Sequence, residues 1–102
     1  MVLEQKIMNL ISGITDPSIR IEIARTIKFL FEVWVSGRVP ANEILRDLKD
    51  VTYMVVSFKF PLLSEEELKK KADDLAEDIF KAFKLESMFR MSFVRHREKI
   101  MF

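Results

Sequence analysis

The chain has 102 residues, and its 49 % hydrophobic content with only three Pro and two Gly excludes a disordered or turn-rich polypeptide. It has no cysteine, which removes any disulfide framework, thiolate nucleophile or Cys-based zinc site. A net charge of +1 points to neither nucleic acid nor membrane.

Residues 2–12 repeat apolar positions as Leu3, Ile7, Leu10 and Ile11, which is helical spacing, and Gly13 ends the run. This opening segment lacks the charged-then-apolar pattern and small-residue cleavage site of a signal peptide, so an intracellular, cytoplasmic protein is expected.

The second helix is the most informative. Asp16 suits the N-cap, Pro17 the first helical position, and Gly37 a left-handed stop about five turns later. Ile19, Ile23, Ala24, Ile27, Leu30, Phe31 and Trp34 fill one broad face. Phe29 and Val33 then fall among Glu22, Arg25 and Glu32, where a surface helix is normally polar. A helix apolar on nearly every side is central in its bundle or covered by a partner. The span 19–35 also carries Arg20, Glu22, Arg25, Lys28 and Glu32, too many charges for a transmembrane segment.

A third helix starts near Pro40 with the stripe Ile44, Leu45, Leu48, Val51, Val55 and Phe58, and Pro61 closes it. Residues 51–60 are rich in β-branched and aromatic residues and could be read as a strand. Helix is the better reading, because no turn signal separates them from the helical pattern and a lone strand would have no partner.

The fourth start is a capping box, with Ser64 as N-cap and Glu67 at the third helical position, and Leu63 and Leu68 placed for a hydrophobic staple. Its stripe runs through Leu68, Ala72, Leu75, Ile79 and Ala82 with Phe83 beside it, and continues through Phe89, Phe93, His96 and Ile100, interrupted by Glu86. One helix over 65–100 would be about 54 Å long, against a radius of gyration of about 13 Å for a compact chain of this size. A break near Lys84–Ser87 is therefore expected, with Ser87 available as a new cap; the alternative is a projecting arm over 86–102.

These elements predict one all-α domain over residues 1–102, a four- or five-helix bundle packed around the apolar helix 17–36. Chemistry finds little support. His96 is the lone histidine and is expected to belong to the half-buried stripe of the last helix. The acids Asp73, Asp74, Glu77 and Asp78 lie on uninterrupted helix with Lys69, Lys70 and Lys71 among them, which suits a solvated face better than a calcium loop. Two glycines cannot build a phosphate-cradling loop. No catalytic residue, metal or cofactor is expected.

The function that fits best is a non-enzymatic protein–protein interaction module, self-associating as a homodimer through an apolar groove or helix face. Its candidate contact residues are Phe29, Val33, Trp34, Phe58, Phe60 and Phe102, since aromatic side chains suit interfaces. The alternative is a small nucleic-acid-binding regulator using Arg90, Arg95, Arg97 and Lys99. Against it, Arg90 and Arg97 share one helix face while Arg95 and Lys99 share nearly the opposite one. Abundant Lys, Arg and Glu with few amides also give the composition a thermophilic flavour.

Overall fold

Four helices and no strand make up the described part of the chain: α1 (Val2–Ile11), α2 (Pro17–Val35), α3 (Ala41–Lys59) and α4 (Glu65–Ile100). The computed structural model describes the backbone of residues 2–100 and the side chains of residues 2–90. The all-α bundle expected from periodicity is the fold, and residues 51–59 are helix.

The helix boundaries follow from local chemistry. The Asp16 carboxylate accepts the Ser18 N–H at 2.8 Å with Pro17 next to it, and Gly37 ends the segment at φ +73°. At Ser64 the Glu67 N–H donates to the serine Oγ at 3.2 Å, and the serine hydroxyl donates back to the Glu67 carboxylate at 3.0 Å. Leu63 packs against buried Val56, Leu68 and Ala72, closing the staple.

Each helix packs on the one before it, and α1 closes the ring on α4. The Leu3 N–H reaches Glu86 while Lys6 reaches Asp78, so α1 runs antiparallel to α4. The most extensive pairing is α3 on α4, joined at its centre by Thr52. This fully buried hydroxyl shares its proton between the Leu48 carbonyl at 2.9 Å and the Ala72 carbonyl at 2.7 Å. No buried side-chain polar atom among the described residues is left without a partner. The apolar centre combines Ile7, Ile23, Ile27, Ile44, Leu48 and Phe83, contributed by all four helices. Phe31 meets Phe83 edge-on at 5.3 Å and Trp34 meets Phe80 at 5.5 Å, so α2 reaches across to α4 through aromatic rings.

Two expectations need correction. The fourth helix does not break at Lys84–Ser87 but continues as a single 36-residue helix. No Gly or Pro follows Pro61, so nothing in the backbone stops it. The interruption at Glu86 is not a helix end either, since that side chain turns into the bundle. The second correction concerns α2. Its buried face is the one read from sequence, but Ile21 and Phe29 on its other sides are exposed. The helix is one wall of the ring and not an axis sheathed by the others.

The molecule is elongated, 58 × 27 × 17 Å, because α4 extends beyond its neighbours. Among the described residues no helix is long and apolar enough to cross a membrane.

Candidate functional site

The level at which α4 leaves the bundle is marked by Glu86. Its side chain is only 6 % exposed, and its carboxylate accepts the Leu3 N–H at 3.2 Å, one of the unpaired donors of the first turn of α1. A carboxylate there also opposes the positive end of the α1 dipole. One turn further along α4, Arg90 lies across the Phe31 ring at 4.9 Å and holds the Glu32 carboxylate at 2.9 and 3.4 Å. The hydrogen bond to Glu32 holds the Arg90 guanidinium above the ordinary arginine range, against a smaller opposing effect of burial. Between them these contacts tie α4 to α1 and α2 just as it emerges.

Beside them, α4 carries an exposed apolar strip. Leu85, Met88 and Phe89 are 46, 66 and 63 % exposed and lie within one sector of about 100° of the helix surface. The cations flanking this strip in sequence are occupied elsewhere: Lys84 sits over the Phe80 ring at 5.1 Å, and Arg90 is held by Phe31 and Glu32. The strip is therefore apolar without a charge at its centre.

The described residues expected from sequence to contact a partner lie on α2 and at the end of α3. Phe29 is exposed on the outer side of α2, and Phe58 is exposed near the end of α3 with Met54 one turn before it. Phe60 is partly covered by the Lys71 ammonium, 5.0 Å from its ring. Val33 and Trp34 are partly buried and pack against the core. Phe102 lies outside the described residues. Of the basic residues offered for nucleic acid, Arg90 is committed to Glu32, and the side chains of Arg95, Arg97 and Lys99 lie outside the described ones, as does that of His96.

Sequence reading missed the strip itself because Leu85 and Met88 fall off the stripe used to trace α4. An apolar residue off the stripe of a helix is the signal that could have found them. In the sequence Glu86 stands only as an interruption of the apolar stripe.

Among the described residues no group of three or more His, Cys, Asp or Glu side chains could hold a metal ion. No known family model matches the chain, and no curated protein or solved structure is significantly similar to it.

Proposed function

We propose that this protein is a non-enzymatic interaction module that self-associates through the end of α4. One observation carries the reading: Leu85, Met88 and Phe89 form a continuous exposed apolar strip where α4 passes the N-terminus of α1. Exposed apolar residues scattered singly need no explanation, but a cluster on a protruding helix does. A second copy is the simplest cover. The same strip on two molecules can meet about a two-fold axis as a pair of helices, and the engagement of Lys84 and Arg90 with bundle rings reduces like-charge repulsion across that axis. Methionine and phenylalanine also pack adaptably at such contacts.

Light scattering behind size exclusion, over a concentration range, tests this directly. The expected mass is twice 12.1 kDa, reduced to a monomer by Met88→Lys with Phe89→Lys, at unchanged helicity. A wild-type chain that stays monomeric at every concentration would overturn self-association. A loss of helicity in the double variant would show that these residues support the fold instead.

A further inference from the structure

The last turns of α1 and α3 meet α4 around an open cleft of about 430 Å³, and Lys59, the last residue of α3, stands in its wall. Of the described lysines only Lys6, Lys49 and Lys59 are partly buried. Lys6 is paired with Asp78 at 2.6 Å, and Lys49 does not line the cleft. Lys71 lines it too, but is exposed, with the Phe60 ring 5.0 Å from its ammonium. Lys59 is thus the one partly buried lysine of the cleft that has no carboxylate within ion-pair distance among the described residues.

Its contacts give that amine a second role. The stem crosses Gly13, where a Cβ would come within 3.1 Å of the lysine Cε. From there the ammonium donates to the Asn9 carbonyl at a long 3.4 Å. The last turn of α1 contains no basic residue of its own, so Lys59 supplies the cation that this helix end favours, and it closes α3 in the same way. Partial burial lowers its pKa from the ordinary lysine range, as expected of a cation that has lost water without gaining an acid.

We propose that Lys59 is an acylation site, open through the cleft to a neutral acyl donor of the thioester class, and that its acylation loosens the last turn of α1. The unprotonated Nζ attacks the acyl carbon, an amide C–N bond forms, the C–S bond breaks, and the thiol leaves with the proton that the amine gives up. The donor is neutral because the negative ends of the α1 and α3 dipoles, with Asp74 and Asp78 on α4, oppose an anionic one such as an acyl phosphate. The product carries no charge, so both helix ends lose their cation in one step.

The test uses the neutral thioester N,S-diacetylcysteamine on the whole chain at mildly alkaline pH, with acetylation followed by site-resolved mass spectrometry. Lys59 is expected to react about threefold faster than the exposed Lys28 and Lys81, at a rate that levels off at lower pH than theirs. A Lys59 that reacts no faster than those two overturns the site. The consequence for α1 is read separately, by hydrogen exchange at the Leu10 and Ile11 amides. Lys59→Gln, neutral like the acylated side chain, should quicken it about threefold, whereas Lys59→Arg should leave it unchanged. Exchange unaltered in Lys59→Gln, or quickened equally throughout α3 and α4, overturns the link to α1. The acetylation rates are measured on the wild-type chain and stand whatever the glutamine variant does to the fold.

Discussion

Glu86 carries more weight than its position in an apolar stripe suggests. A buried carboxylate is costly unless it is hydrogen-bonded, and here the partner is a backbone N–H that α1 cannot satisfy itself. Lys59 does the reverse job at the other end of α1, donating to the Asn9 carbonyl in its last turn. A ten-residue helix is marginal in isolation, so α1 depends on these two ends as well as on Leu3, Ile7 and Leu10. Glu86→Ala is expected to cost about 2 kcal/mol, combining a lost cap with a stranded donor. Glu86→Gln keeps an acceptor and should cost about half as much. Urea unfolding followed by the fluorescence of Trp34, the only tryptophan, measures both. Hydrogen exchange at the Leu3 amide should quicken in the alanine variant before the rest of the core responds. An alanine variant as stable as wild type would mean that the carboxylate does not hold α1.

At the scale of elements, the two glycines provide a paired test. Gly37 has φ +73° with open space around it, so an alanine there meets only backbone strain and should cost about 1 kcal/mol. Gly13 is not in the left-handed region, and an added Cβ would meet only the flexible end of Lys59. Gly13→Ala should therefore be neutral or stabilising by up to about 0.5 kcal/mol through the unfolded chain. Equal effects at the two positions in thermal unfolding would contradict the turn geometry. These helix ends are the part of the fold that was legible in the sequence. Asp16, Ser64 and Gly37 act within a few residues of themselves, and period alone separates Ile23, Ile27 and Leu30 from their charged neighbours. What was not legible is tertiary. Nothing local says that Glu86 faces Leu3, 83 positions away, or that Trp34 spends its surface on Phe80. The extent of α4 lay between these cases. The absence of a Gly or Pro stop was visible, but compactness argued for a break, and the helix follows its local chemistry. In the strip, Leu85 and Met88 lie off the α4 stripe, a signal present in the sequence, whereas Phe89 continues the stripe of Ile79 and Phe83 and only the tertiary structure shows that it is exposed.

The shape of the whole molecule turns on that continuity of α4. Thirty-six residues at 1.5 Å each give about 54 Å, close to the longest dimension of 58 Å. The radius of gyration is 15.4 Å, against about 13 Å for a compact chain of this length. A helix broken at Lys84–Ser87 and folded back would recover the smaller value, since its last turns would lie along the bundle. Small-angle scattering distinguishes the two, but self-association through Leu85, Met88 and Phe89 would also enlarge the particle. The measurement therefore belongs on the Phe89→Lys chain, extrapolated to zero concentration, with the mass from forward scattering confirming one copy. The expected outcome is a monomer whose radius stays close to 15.4 Å and whose distance distribution has a long tail. A monomer near 13 Å would show that the end of α4 lies on the bundle, where it would cover the strip with the chain's own residues and remove the reason for a second copy. Folding back would sacrifice several backbone hydrogen bonds at the break, each to be remade with water or a cap, while no glycine is present to accept the left-handed turn that such a reversal requires.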